Sequence, residues 1–217
     1  MAQALNAPAP AATRPAHRTA LTGAAVAGPS FLLLGAAQGL ARDGFDFTRN
    51  ALSQLALGES GWIQTVNFLL TGTLLLAGAT GLRRTLRGGP GNTWGPVLLG
   101  VFGASFWAAA AFPADAGAGF PAGSPDPLTM SGHGTAHMVA GTVGYLALCA
   151  AFPVLARPLA ARGHRGWAVA SRLAPVVVLA GFTSSAASVL AFTAGAGLGL
   201  LWLTAVLVRL GTARTPS

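Results

Sequence analysis

Two of the chain's four histidines, His133 and His137, stand four residues apart in the stretch SGHGTAH, Ser131 to His137. Residues i and i+4 of an α-helix share one face about 6 Å apart in rise, so both imidazoles converge on one point if this stretch is helical. Ser131 is suited to cap a helix beginning near Gly132. The positive end of that helix disfavours imidazolium and keeps both rings neutral near pH 7, fit to ligate a metal or to take a proton. Asp115, just past the preceding apolar segment, supplies a carboxylate on the same side of a membrane. Asp115, His133 and His137 together suffice for zinc or iron with positions left open for water or substrate. A metal so held lowers the pKa of bound water toward about 7, and that water can attack a lipid-like ester or amide. This is the chemistry of a metal-dependent hydrolase.

Other chemistries compete for the same residues. The glutamate of a zinc-protease helix motif is absent, since Gly134, Thr135 and Ala136 separate the histidines, and no separate general acid or base accompanies them. A helix N-terminus carrying histidines serves equally to hold a lipid phosphate, or the rings simply hydrogen-bond loop carbonyls or Asp115. Histidines one turn apart on one helix cannot ligate opposite faces of one porphyrin, which counts against haem, and nothing in the sequence motivates an axial methionine. Ser53 and Arg49, in the first long loop, are candidates for lining the site, but no neighbour marks Ser53 as a nucleophile.

The elements that must position these residues follow from composition. The 217 residues are 53% hydrophobic and 8% charged, with a mean hydropathy of +0.59, more apolar surface than a water-soluble domain of this size can bury. Six apolar stretches approach or meet the length that crosses a bilayer: Ala20 to Ala41, Gly61 to Leu82, Pro96 to Phe112, Ala136 to Leu155, Leu173 to Leu190 and Gly195 to Leu210. Without water to bond their backbones, all six must be helices, with Pro29 and Pro175 kinking theirs. The fold class expected is an all-α, polytopic membrane bundle of six transmembrane helices. Residues 1–19 read as a disordered tail, 20–210 as the bundle and 211–217 as a second tail.

Charge gives the orientation. Eleven of the thirteen arginines flank one end of these helices, and only Arg42 and Arg49 the other, with Asp43, Asp46, Glu59, Asp115 and Asp126. Arginine-rich short loops stay on the cytoplasmic side, so both termini are expected in the cytoplasm of a multi-pass cell-membrane protein. The net charge of +8 does not indicate nucleic acid, because the arginines are scattered between apolar runs instead of forming a soluble patch. Cys149 stands alone in an apolar segment and reads as core filler. The partner implied is the lipid bilayer. A non-catalytic module binding a lipid or a partner protein, and a facilitator for small solutes, are the alternatives to a hydrolase. No Asp, Glu or Lys lies deep in a span, which counts against an ion-driven transporter.

The two outward loops are long for a helical bundle. In the first, Phe45, Leu52 and Ala56 are expected to share one face of an interfacial helix, with Asp46 as its cap. For a site to exist, the second must fold back over the mouth of the bundle, anchored by Phe112, Pro113, Phe120 and Pro121, and bring Asp115 within reach of an inward-pointing imidazole. Together, RNALSQLALGESGWIQTVNFLLTG, FPADAGAGFPAG and SGHGTAH resemble the actinobacterial branch of an uncharacterised prokaryotic membrane family, domain-of-unknown-function family nine-nine-eight. The resemblance runs from helix one to helix six. It implies six helices with recurrent polar positions at Ser53, Asp115, His133 and His137, and it carries no activity. Gln54 stands where many relatives have an acidic residue. A more distant likeness, to zinc hydrolases of the ceramidase and adiponectin-receptor type, is analogy only, since helix number and ligand count differ.

Overall fold

The computed structural model describes residues 13–125, 129–185 and 187–212, with side chains from residue 18 onward. Residues 1–12 and 213–217 of the two expected tails, 1–19 and 211–217, lie outside the described residues, as does Asp126. Six helices follow one another: α1 (Thr13–Ala41), α2 (Gly61–Thr85), α3 (Trp94–Ala111), α4 (Gly132–Ala161), α5 (Arg165–Thr183) and α6 (Val189–Thr212). Each is long and apolar enough to cross a membrane. Helix α1 begins at Thr13, so its first turns include residues that composition alone assigns to the tail.

Helix α5 departs most from the expected span. It starts at Arg165 and stops at Thr183, seven residues short of Leu190. Hydroxyls cluster at the stop: Thr183 Oγ1 donates to Leu179 O at 3.0 Å and Ser184 Oγ to Ala180 O at 2.7 Å, each bonding a carbonyl four residues back. Ser188 then opens α6 by accepting from the Ala191 amide at 3.1 Å. The hydroxyl run, which in an apolar span would serve as helix-packing glue, forms a turn. Pro29, Pro153, Pro158 and Pro175 all sit within continuous helices.

Each helix packs on its neighbours in sequence, and α6 closes back on α1, giving a ring. Polar side chains join adjacent helices where lipid gives no hydrophobic drive. Gln38 donates to Gln64 Oε1 at 2.7 Å and Asn67 to Phe31 O at 3.2 Å between α1 and α2, and Thr204 donates to Ala25 O at 2.8 Å between α6 and α1. Helices α5 and α6 meet through Gly181 and Gly195, where a Cβ on either would come within 2.9 Å of the other's Cα. The arginine-rich end of the ring is solid, filled by fully buried Leu82, Leu155, Leu159, Leu207 and Leu210.

Arg162, at the end of α4, ties that solid end together. Its guanidinium donates to Leu210 O of α6 at 2.9 Å and, more weakly, to Thr85 O of α2 at 3.4 Å. Because the group is partly exposed, the tie is worth on the order of 1 kcal/mol, less than a buried charged hydrogen bond. Arg162→Ala is expected to lower the apparent Tm in detergent by roughly 2–4 °C. Arg162→Lys should not restore it, because an ammonium on a single stem cannot span two carbonyls as the guanidinium fork does.

Candidate functional site

Ser131 caps α4 as its position suggests, its Oγ accepting from the Gly134 amide at 3.0 Å. Asp115 sits over this cap. The Ser131 amide donates to Asp115 Oδ2 at 2.8 Å, and the Ser131 hydroxyl donates to Oδ1 at 2.5 Å. A Cβ on Gly134 would overlap the Asp115 carboxylate, so a glycine is what lets the carboxylate lie against the first turn. Hydrogen bonds from the Ser131 hydroxyl and then its amide hold the Asp115 carboxyl below its ordinary value of 3.8, against the opposing effect of burial and with a smaller contribution from nearby His133 and His137.

The two histidines part company. His137 is buried at 8% exposure and its Nδ1 lies 2.8 Å from Phe112 O, at the end of α3. A carbonyl only accepts, so Nδ1 carries the proton and Nε2 is the remaining acceptor of the neutral ring. His133 is exposed, one turn nearer the helix end, with its ring tilted against Phe112. Only His137 is buried, whereas His133, one turn earlier, is exposed beside Phe112. The Asp115 carboxylate is engaged by Ser131 because the free donors of a helix start compete for it. Among the described residues, no group of three or more His, Cys, Asp and Glu side chains could hold a metal ion. Asp115, His133 and His137 lie near one another, with the Asp115 carboxylate held by Ser131 and His137 Nδ1 by Phe112 O.

Residues 112–120, which leave α3, lie over the loop end of the bundle, held by Phe120 and by partners beyond the expected anchors. Phe120 is fully buried as an anchor, whereas Phe112 is 39% exposed and contributes its carbonyl. Gln54 donates to Asp115 O at 3.2 Å and Gly117 O at 3.3 Å, while its Oε1 accepts from the Ala51 amide at 3.0 Å. Arg42 donates to Leu55 O and Leu57 O at 2.8 and 2.7 Å and stacks over the Phe120 ring. The loop between α1 and α2 is not the expected interfacial α-helix. It holds a turn, in which Asp46 Oδ1 accepts from the Thr48 amide and hydroxyl, and a short 3-10 helix, Leu52–Ala56. Phe45 turns toward Phe47 and Phe120 instead of sharing a face with Leu52.

Beneath these loops the ring encloses a cavity of about 430 Å³, within the range of sites for small organic ligands. Phe31, Phe68, Phe102 and Phe106 form apolar walls. Arg49, Ser53, Asp115 and His137 line its loop end, and His133 is not among its lining residues. The lining continues to Met138 of α4 and Ser185 of the α5–α6 turn, both exposed. Tyr145 of α4 and Thr193 of α6 also line it. Neither stands out from spacing or motif, although a lone tyrosine in an apolar span is a usable signal. Gln54 draws notice in the sequence only as an amide in place of an acid, and its role as a clamp between loops has no local signature.

The Asp115 cap has a signed pH dependence. Its folded pKa is depressed, so its stabilisation is fully present above the ordinary 3.8 and is lost as pH falls through the lower folded value. Asp115→Asn is expected to unfold at lower temperature than the wild type at neutral pH, with the gap closing as pH drops below 3.8. Gly134→Ala should mimic it, and the double variant should lose little more than either single one, as thermal unfolding in detergent can read.

No curated protein and no solved structure matches this chain. The profile of one family does, over residues 25–209, and its description is a protein of unknown function, DUF998. That match takes in both loops that frame the cavity and part or all of each apolar segment. The chain therefore belongs to the DUF998 family of proteins of unknown function.

Proposed function

We propose that this protein is a membrane-embedded binding module for a lipid-like amphiphile, which enters from the bilayer and places its polar end beneath the loops. The cavity carries this reading: apolar aromatic walls within the ring meet Arg49, Ser53, Asp115 and His137 at the loop end, and the lining reaches exposed Met138 of α4. A lipid tail suits the first environment and a head group the second. The solid arginine-rich half, with Leu82, Leu155 and Leu207 fully buried below the cavity, favours binding over passage through the bundle. The absence of a three-ligand set among the described residues favours binding over metal-dependent hydrolysis.

In this reading the cavity faces the extracytoplasmic side. Arg83, Arg84, Arg87, Arg157, Arg162, Arg165 and Arg209 gather at the opposite end, and the described acidic residues, Asp43, Asp46, Glu59 and Asp115, all lie at the cavity end. The retention of arginines in the cytoplasm then sets the direction.

Two experiments test these statements. A photoreactive long-chain lipid probe in nanodiscs is expected to label peptides around Tyr145 and Phe192, and Ala109→Trp, which fills the cavity from α3, should abolish that labelling while leaving the helical content unchanged. Labelling confined to the outer faces of the helices, unaltered by Ala109→Trp, would refute a binding cavity. For orientation, in a Cys149→Ala background, Ser124→Cys should react with an impermeant thiol reagent on intact cells, and Gly89→Cys only after permeabilisation. The reverse pattern would invert the proposed topology.

A further inference from the structure

We infer that the cavity selects an amphiphile with an uncharged, hydroxyl-bearing head group, such as a long-chain alcohol, over one with an anionic head. This rests on the lipid-binding reading above and gives it a chemical class. Among the described residues, the charged ones lining the cavity are Arg49 and Asp115, of opposite sign. Their formal charges cancel, and Arg49 is exposed at the rim, where water screens it. The remaining polar lining is neutral. Ser53, Tyr145 and Thr193 all line the cavity, and none of their hydroxyls bonds to a described residue. With Nδ1 committed to Phe112 O, the Nε2 of His137 is an acceptor without a described protein partner.

This set fits an alcohol on both sides of its chemistry. Its O–H can donate to His137 Nε2, and its oxygen can accept from a hydroxyl such as that of Tyr145. A sulfonate, a carboxylate or a phosphate diester, deprotonated at neutral pH, has no proton to give Nε2 and would meet that lone pair and the Asp115 carboxylate. It would also leave water without a buried cation to receive it, which is costly. The apolar walls bury an alkyl chain of either probe equally, so discrimination falls on the head group alone.

The test uses the full chain in zwitterionic nanodiscs at pH 8, above the ordinary imidazole pKa of about 6.5, with two diazirine probes of the same chain length. One ends in a hydroxyl and the other in a sulfonate. The alcohol is expected to label the cavity peptides of the wild type about three- to tenfold more than the sulfonate, the scale of one net hydrogen bond. His137→Asn keeps an N–H able to reach Phe112 O and removes the Nε2 acceptor, so it should lose most of the preference. Tyr145→Phe, which removes only a hydroxyl, should weaken alcohol labelling without raising that of the sulfonate. If neither probe labels the cavity, the lipid-binding reading itself fails. If both label it and the sulfonate does so equally or better, that reading stands and the head-group selectivity is overturned. Full alcohol preference in both His137→Asn and Tyr145→Phe, each monodisperse and helical, would equally overturn it.

Discussion

The carboxylate of Asp115, laid across the first turn of α4, is the contact on which the site depends. A helix start offers free backbone N–H groups and a positive potential, and an anion with a hydroxyl beside it is the natural complement. Ser131 provides that hydroxyl and the cap at once, accepting from Gly134 while donating to Asp115. Because Asp115 belongs to the segment leaving α3, this one contact fixes the α3–α4 loop to the helix it leads into. The same register brings Phe112 O to His137 Nδ1 and so decides which edge of the imidazole remains for the cavity.

Around that contact the two loops hold each other. Gln54 reaches from the 3-10 helix to the backbone of Asp115 and Gly117, and Arg42 holds the end of that helix while covering Phe120. Main-chain carbonyls are the acceptors, so side-chain amides and a guanidinium suffice where a carboxylate would be repelled. That accounts for an amide at Gln54. It is a clamp whose donors are needed.

The bundle is filled at its arginine-rich end and holds the cavity toward its loop end. Large leucines from α2, α4 and α6 converge at the arginine-rich end, where Arg162 ties three helices. Toward the loop end, phenylalanines stand against one another at the wall, as in the Phe31–Phe106 and Phe102–Phe106 edge contacts, without filling the centre. Rings braced edge to face are stiff, so a space they frame keeps its shape.

The sequence by itself determined the class of the protein and its helices. A bilayer admits few backbone solutions, so apolar length translates directly into six spans, and Ser131 ahead of a helical run announces its own cap. The end of α5 at Thr183 was less legible, because hydroxyl residues within a span also serve as packing groups. The approach of Asp115 to the Ser131–Gly134 turn, the burial of His137 while His133 is exposed, and the entry of Tyr145 and Thr193 into one cavity were decided only by tertiary structure. Four-residue spacing puts two imidazoles on one side of a helix but says nothing about where the bundle ends. A residue one turn above that end meets water, and one turn below it meets a cavity. That boundary belongs to the packing of all six helices, not to any local stretch of the chain.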